Sequence, residues 1–453
     1  MLPETSHAGY HRSHPRSVDQ APRGRQTQAE TVSTPSGTGD GPAVRYLKKS
    51  ARHAANKLRQ WGASEPDGFD ISDIPSADIA LYFPDTPSKL YQLTQWLPVF
   101  EANKDMRTIV VVRSVEAYHE LMKRTSLRLI LVPKYEQLMA LYDRATFHAV
   151  IYVNNGWTNF QSLSFQQAVH IHVNHGESDK ICMVSNQAKA YDKVFVAGEA
   201  AIRRHAAALA WFDPNHLVPV GRPQIDLPVP SPLPDFAGTT ITYAPTWEGE
   251  DEANNYTSVD TYGPRIIAAA LAQPGARVIY KPHPRVLNSR DPGVAEGHAE
   301  ILRLIEQAAA KHPGRGHAAL LTADMLGVIR STDVMIADVS SVGLDHLYLR
   351  VDSPLVLCDR RTNRTQLIED APVAAGSHVV DESSIGTLAA DLSAIIADDP
   401  MRSTRHDLRT FYFGDLEPGE STQLFWAELD RAIIEHDAAL RELSRVRIVE
   451  ETA

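Results

Sequence analysis

Cysteine and long apolar runs are scarce in this sequence of 453 residues. The two cysteines, Cys182 and Cys358, lie far apart and in no metal-ligating spacing, which argues against a disulfide or zinc scaffold and fits a reducing cytosol. No apolar run approaches the roughly 20 residues that span a membrane. The N-terminal residues lack the apolar core of a signal peptide. We therefore expect a cytoplasmic protein, either free or peripheral on the inner face of the cell membrane.

Motifs of several common enzyme classes are also missing. The sequence has neither a Gly-x-Gly-x-x-Gly fingerprint nor a Walker loop, which disfavours dinucleotide oxidoreductases and P-loop enzymes. It has no Gly-x-Ser-x-Gly elbow, and its acidic residues form no Asp-x-Asp cluster, so serine hydrolases and metal-dependent transferases are disfavoured as well. The net charge of -11 argues against binding of nucleic acid.

The N-terminal part of the chain differs in composition from the rest. Residues 1–42 are rich in Ser, Thr, Pro, Gly and Gln, and we expect them to be disordered. Residues 43–64 contain six Lys or Arg and no acid, with Leu47, Leu58 and Trp61 among apolar residues at roughly helical spacing. This pattern predicts a basic amphipathic helix, which fits an anionic membrane surface and a solvated linker helix equally well.

From residue 76 onward the pattern alternates between short apolar strands and helices, which is typical of parallel, doubly wound sheets. The length favours two domains, and a proline-rich stretch at 219–238 is the best candidate for the crossing between them. We expect one Rossmann-like domain over 76–225, a second over 239–420, and a C-terminal helix over 421–445 that packs through a stripe from Phe425 to Leu443. The fold class predicted is α/β, with two doubly wound domains that face a central cleft.

Three candidate site segments follow predicted strands. His175-Gly176, with Lys180 downstream, places a titratable ring on a loop, where it could take a proton from an alcohol near neutral pH. An ordinary loop histidine is the alternative. Pro245 exposes Thr246 and Trp247 at a strand end, although Trp247 could equally pack the domain junction. The third segment has prolines on both sides of His283, with cationic Lys281 and Arg285, and suits a diphosphate.

The fourth segment, Asp333–Asp345, joins an apolar strand to a helix through Ser340 and Ser341. We expect one hydroxyl to cap the first helical turn. The free amides of that turn and the helix dipole would hold a phosphate. Asp345 could accept hydrogen bonds from vicinal hydroxyls, or be a solvated helix carboxylate.

Taken together and in chain order, these segments resemble the CDP-glycerol glycerophosphotransferase family of teichoic-acid polymerases and primases. The resemblance covers about residues 150–430. It is carried by His175-Gly176 with Lys180, Gly221–Asp226, Tyr243–Trp247, Lys281–Pro284, Asp333–Asp345, and Phe411–Asp415 followed by Pro418–Ser421.

The resemblance implies a GT-B-like fold, with the acceptor bound by the first domain and the nucleotide by the second. His175 would deprotonate the acceptor hydroxyl, which attacks the β-phosphate of a CDP-alditol such as CDP-glycerol, and CMP would leave. His283, Ser340 and Ser341 would hold the diphosphate, and Asp345 would lie near the hydroxyls of the donor. No cofactor or metal is expected. The acceptor would be a polyol phosphate or glycan, in lipid-linked form, used for cell-wall or capsule polymers.

The loop after His175-Gly176 departs from the family pattern, because it carries Glu177 and Asp179. We expect these carboxylates to raise the pKa of His175 or to select a different acceptor. Two alternatives remain open. One is a GT-B glycosyltransferase or an enzyme similar to UDP-GlcNAc 2-epimerase, and the other is a non-catalytic scaffold that binds a nucleotide or lipid.

Overall fold

The structure is a computed structural model that describes residues 76–180, 183–417 and 419–452, with side chains up to residue 445. These residues belong to one compact unit, Gly68–Ala453. The disorder predicted for residues 1–42 and the amphipathic helix predicted for 43–64 lie outside the described residues.

The first half of the described chain forms a seven-stranded parallel sheet in the order β3-β2-β1-β4-β5-β6-β7. Its strands are β1 (Ile79–Phe83), β2 (Thr108–Val112), β3 (Arg128–Leu131), β4 (Ala149–Tyr152), β5 (Val169–His172), β6 (Lys193–Val196) and β7 (Leu217–Pro219). Its helices are α1 (Leu90–Thr94), α2 (Leu97–Ala102), α3 (Val115–Leu121), α4 (Tyr135–Tyr142), α5 (Asn159–Ser162), α6 (Glu199–Ala208) and α7 (Pro223–Asp226).

Both faces of this sheet are covered, as the continuous apolar strands predict. Ile79 and Phe83 of β1 pack into one hydrophobic cluster, and Ala80 and Tyr82 pack into another on the opposite face. Capping residues in the sequence determine where helices between the strands begin. Ser114, for example, accepts a hydrogen bond from the amide of Ala117 and so caps α3.

The second half forms a six-stranded parallel sheet in the order β10-β9-β8-β11-β12-β13. Its strands are β8 (Thr240–Ala244), β9 (Arg277–Tyr280), β10 (Ala318–Ala319), β11 (Val334–Asp338), β12 (Leu355–Cys358) and β13 (His378–Val380). Its helices are α8 (Gly263–Leu271), α9 (Pro292–Lys311), α10 (Met325–Arg330), α11 (Ser341–Leu349), α12 (Arg364–Asp370), α13 (Leu388–Ala397) and α14 (Arg402–Phe413).

The last helix, α15 (Glu420–Thr452), returns to the first sheet. Phe425, Leu429 and Ile433 enter the core cluster on one face of that sheet. The predicted packing stripe is wrong at its far end, because the side chain of Leu443 is exposed.

Two doubly wound sheets confirm the predicted fold class, but β7 and β13 were not predicted. Each is a three-residue strand at the edge of its sheet, and β7 ends at Pro219, where the proline-rich stretch assigned to the domain crossing begins. The order of each sheet reverses at one point, between β1 and β4 and between β8 and β11. Such reversals open a crevice at the carboxyl ends of the strands, where ligands bind in doubly wound folds.

Candidate active site

Aromatic rings from both halves of the described chain meet near the carboxyl ends of the strands. The ring centroid of Tyr91, at the start of the helix after β1, lies 5.8 Å from that of His175 and 6.3 Å from that of His283. His175 follows β5 in the first sheet, and His283 follows β9 in the second. The ring of Trp247 stacks on His283 with 6.2 Å between centroids. The two predicted histidines therefore both contact one tyrosine ring, each in a T-shaped arrangement.

The backbone before His175 is held in an uncommon conformation. Asn174 has a φ of 54°, in the left-handed region that asparagine tolerates better than most residues. Its carbonyl accepts a hydrogen bond of 2.5 Å from the indole of buried Trp96, and its side-chain oxygen accepts from the amide of His175 at 2.8 Å. The loop that carries His175 is therefore fixed to the core of the first sheet.

The expected titration of His175 near neutral pH is wrong. Burial, together with the positive charges of Arg222 and Lys89, lowers the pKa of His175 to about 4. The carboxylates of Glu177 and Asp179, which we expected to raise this pKa, are engaged by Arg204. The Arg204 nitrogens lie 2.6 Å and 2.9 Å from oxygens of Glu177 and Asp179. His175 is thus a neutral ring that can accept a proton.

Glu177 and Asp179 form a buried network rather than an open acidic loop. The second oxygen of Asp179 accepts a hydrogen bond of 2.5 Å from the hydroxyl of Tyr412 in α14. That hydroxyl accepts in turn from the amide of Val373. Burial raises the pKa of Asp179 to about 6, despite the opposing effect of Arg204. The network ties the loop after β5 to elements that pack on the second sheet.

Lys180 and Thr246 form a second link between the two sheet edges. The amine of Lys180 donates to the hydroxyl of Thr246 at 3.0 Å. The amide of Thr246 donates to Asp338 at the end of β11, at 2.7 Å. Burial raises the pKa of Asp338 to about 7. Thr246 is buried in this chain of contacts, so it positions Lys180 and the loop after β8 rather than lining an open surface.

The loop after β9 presents His283 in a defined tautomer. The backbone amide of Arg285 donates to Nδ1 of His283 at 3.2 Å, so the proton of the neutral ring resides on Nε2. Burial and the charges of Lys180, Arg285 and Lys281 lower the pKa of His283 to about 3. His283 is therefore a neutral donor through Nε2.

The two predicted cations of this loop are placed differently. The guanidinium of Arg285 lies 4.1 Å from the ring centroid of Trp247, where it remains partly exposed. Lys281 is buried, donates to the carbonyl of Pro282, and has its pKa lowered by burial. Arg285 therefore offers an accessible positive charge. The buried charge of Lys281 acts on the ring of His283 through its electrostatic effect.

Ser340 and Ser341 begin α11, but the expected hydroxyl cap is wrong. Ser340 is the N-cap residue, yet its side chain makes no capping hydrogen bond, and its buried Oγ has no partner in the described part of the chain. Amides of the first turn of a helix are free to bind an anion in such an arrangement. A methyl group added at Gly176 would lie 3.6 Å from Cβ of Ser341. The histidine loop of the first sheet and the serine turn of the second therefore lie next to each other.

Asp345, one turn into α11, is buried against an arginine. Its Oδ1 lies 2.9 Å from Nη2 of Arg222, which follows β7. Burial raises the pKa of Asp345 to about 6, against the effect of Arg222. This carboxylate is placed to hold Arg222 and is not a solvated helix carboxylate.

Sequence reasoning missed Tyr91 and gave no role to Arg222. The segment of Tyr91 follows β1, the strand at the reversal point of the first sheet, and strand position was the signal that could have found it. Arg222 stood in a segment similar to the family, but a contact with Asp345, more than a hundred residues away, leaves no local pattern.

A cavity adjoins the serine turn on the second sheet. Its lining residues include Val339, which directly precedes Ser340, together with Tyr256, Cys358, Asn363 and Leu367. Within the described residues, no group of three or more His, Cys, Asp or Glu side chains is placed to hold a metal ion. In the same part of the chain, no helix has the length and apolar character needed to cross a membrane.

Comparison with solved structures places this architecture among known folds. The wall teichoic acid polymerase TagF, in a variant soaked with CDPG, has 13% identity and a TM-score of 0.51, and the match covers 86% of this chain and 98% of that chain. A putative UDP-N-acetylglucosamine 2-epimerase from Listeria monocytogenes has 13% identity and a TM-score of 0.51, and the match covers 80% of this chain and 98% of that chain. Both support the predicted GT-B-like fold.

A comparison with curated protein sequences finds no significant match. The family profile described as CDP-Glycerol:Poly(glycerophosphate) glycerophosphotransferase matches residues 85–359, which is more than half of the chain. The match spans Tyr91, the loops that carry His175 and His283, and the serine turn. The chain therefore belongs to the CDP-glycerol:poly(glycerophosphate) glycerophosphotransferase family.

Proposed function

We propose that this protein transfers glycerol phosphate, or a related alditol phosphate, from a CDP-alditol to an acceptor hydroxyl and releases CMP. The observation that carries this proposal is the meeting of His175 and His283 on one tyrosine ring, with Gly176 against Ser341. A proton acceptor from one sheet then lies beside an anion site from the other. The family membership supports CDP-glycerol as the donor.

The diphosphate of the donor would bind at the start of α11. Ser340 supplies an unpartnered hydroxyl, the helix supplies free amides, and His283 donates through Nε2. Lys180 and Arg285 add positive charge near this position. The nucleoside would occupy the adjoining cavity, where Val339 and Leu367 offer apolar surface and Asn363 offers polar groups. The β-phosphate would then face the loop of His175.

In the reaction, the acceptor hydroxyl oxygen forms a bond to the β-phosphorus. The bond between that phosphorus and the bridging oxygen breaks, and CMP leaves with the electron pair. The hydroxyl proton passes to His175, which is neutral and can accept it. Phosphoryl transfer of this kind depends mainly on positioning and on stabilisation of charge, and the cations and amides described here supply both.

We further propose a polyol-phosphate or glycan acceptor, in lipid-linked form, and no cofactor. The basic residues of segment 43–64 would bring the enzyme to the anionic inner face of the membrane. Removal of residues 1–64 should weaken sedimentation of the protein with anionic liposomes. Equal sedimentation of the full and shortened chains would contradict the membrane contact.

CMP release from a panel of CDP-alditols, with crude membranes as the source of acceptor, tests the proposed activity. We expect CMP release from at least one CDP-alditol. We also expect this donor, but not UDP-sugars, to raise the melting temperature. Stabilisation by UDP-sugars alone would favour a glycosyltransferase or epimerase. Donor binding without CMP release from any acceptor would favour a non-catalytic scaffold.

A further inference from the structure

Arg222 is a buried arginine whose hydrogen-bonding groups are mostly unused. Its exposed fraction is 3%, and among the described residues its ion-pair partner is Asp345, which it contacts through Nη2. Its Nε and Nη1 have no partner among the described residues. Buried polar groups without a partner are costly and uncommon, so each calls for an explanation such as a bound anion.

These unused groups lie where the two sheets meet. A methyl group added at Gly176 would lie 3.8 Å from Nη1 of Arg222 and 3.6 Å from Cβ of Ser341. The unpartnered hydroxyl of Ser340 precedes Ser341 in the same turn. The guanidinium thus lies next to the loop of the proposed base and beside the proposed diphosphate site.

We propose that Arg222 is a further catalytic residue, which binds the phosphoryl group during its transfer from donor to acceptor. The proposal rests on the proposed function. In this proposal Asp345 positions Arg222. This positioning role replaces the contact between Asp345 and the donor hydroxyls that was expected from the sequence. As the acceptor oxygen bonds to the β-phosphorus and CMP departs, charge spreads over the other phosphoryl oxygens. The free Nη1 of the planar guanidinium can donate to one of those oxygens, and the delocalised positive charge stabilises the others.

The charge of Arg222 would also keep His175 ready to accept a proton. Arg222 and Lys89 are the cations that favour neutral His175, and His172 is a neutral titratable neighbour on β5. Loss of the guanidinium charge should therefore raise the pKa of His175. The acid limb of kcat/KM should then move to higher pH, which a purely structural role for Arg222 would not produce.

The test compares CMP release by Arg222→Gln, Arg222→Lys and a matched control, Arg350→Gln. Arg350 also pairs with an aspartate, Asp333, at 3.0 Å, and its Nε likewise has no partner among the described residues. Asp333 precedes β11, so this pair lies at the amino ends of the strands, away from the proposed site. We expect kcat to fall about 100- to 1000-fold in Arg222→Gln and less in Arg222→Lys, with the dissociation constant of CDP-glycerol changed less than about tenfold. The control should stay within about twofold of wild type.

The outcomes separate the two proposals. Absence of CMP release by the wild type from any CDP-alditol would refute the proposed function and, with it, this role of Arg222. Normal release by the wild type, with Arg222→Gln within about threefold of it, would refute the role of Arg222 alone. Loss of donor affinity without loss of kcat would refute it as well. If Arg222→Gln does not fold, Arg222→Lys decides: lysine cannot reproduce the guanidinium contacts, so kcat should still fall more than about threefold, and a smaller fall would refute the role.

Discussion

In the pH profile of kcat/KM, the loss of activity on the acid side should lie far below the pH expected for an ordinary histidine. The proposed base, His175, has its pKa lowered to about 4 by burial, Arg222 and Lys89, and it acts in its neutral form. Activity is therefore retained as the pH falls through the usual value of about 6.5 and is lost only near pH 4.

The expected rates for a base of pKa about 4 and for an ordinary histidine of pKa about 6.5 differ most at a pH between these two pKa values. At pH 5.5 a base of pKa 4 is about 97% neutral, whereas a base of pKa 6.5 is about 9% neutral, so the two cases differ about tenfold in rate. The measurement is kcat/KM for CMP release between pH 4.5 and 8. A rate at pH 5.5 below about one fifth of the plateau, from folded protein, would refute the environment assigned to His175.

Two controls keep this result interpretable. Burial lowers the pKa of His172, His175 and His283 in the folded state, so their contribution to stability is present above about pH 6.5 and is lost as the pH falls towards 3 to 4. Circular dichroism at each pH must therefore show folded protein. Asp338, whose pKa burial raises to about 7, contacts backbone amides of the site. Asp338→Asn removes that titration, and the acid limb should stay in place.

Three further predictions concern packing and contacts between the sheets. Phe425→Ala should lower the free energy of unfolding by about 3–5 kcal/mol in a denaturant titration, because the ring is fully buried, and Leu443→Ala should have an effect under about 0.5 kcal/mol. Similar effects of both would contradict the docking of α15. Lys180→Met should weaken binding of CDP-glycerol about 10- to 100-fold in calorimetry, through loss of a charge near His283, and unchanged affinity would exclude Lys180 from the donor site. Tyr412→Phe leaves a buried amide unpaired and should cost about 1–3 kcal/mol, so an unchanged midpoint in denaturant would contradict the network.

The fold was predictable because its signals are local and repeated. Strands such as β1 and β11 are fully buried on both faces, and the sequence shows this as uninterrupted apolar runs. The same reasoning found the strand ends that carry His175, His283 and Ser340. The edge strands β7 and β13 were not predicted, and β7 ends at a proline, which argues against a strand in the sequence.

The chemistry of the site was less predictable, because it depends on contacts between distant parts of the chain. Nothing near His175 in the sequence shows that Arg204 engages Glu177 and Asp179, so the predicted direction of the pKa shift was wrong. The pairing of Arg222 with Asp345 joins the two sheets and is likewise invisible locally. Residue types and strand ends located the site, and only the packed structure showed how its charges are distributed.

The central claim is that one sheet supplies the base and the other supplies the donor site. Its most direct test measures CMP release and calorimetric binding of CDP-glycerol for His175→Asn and His283→Asn side by side. We predict that His175→Asn lowers kcat at least about 100-fold with donor affinity within about threefold of wild type, and that His283→Asn weakens donor binding at least about tenfold. CMP release by His175→Asn at the wild-type rate would contradict the account.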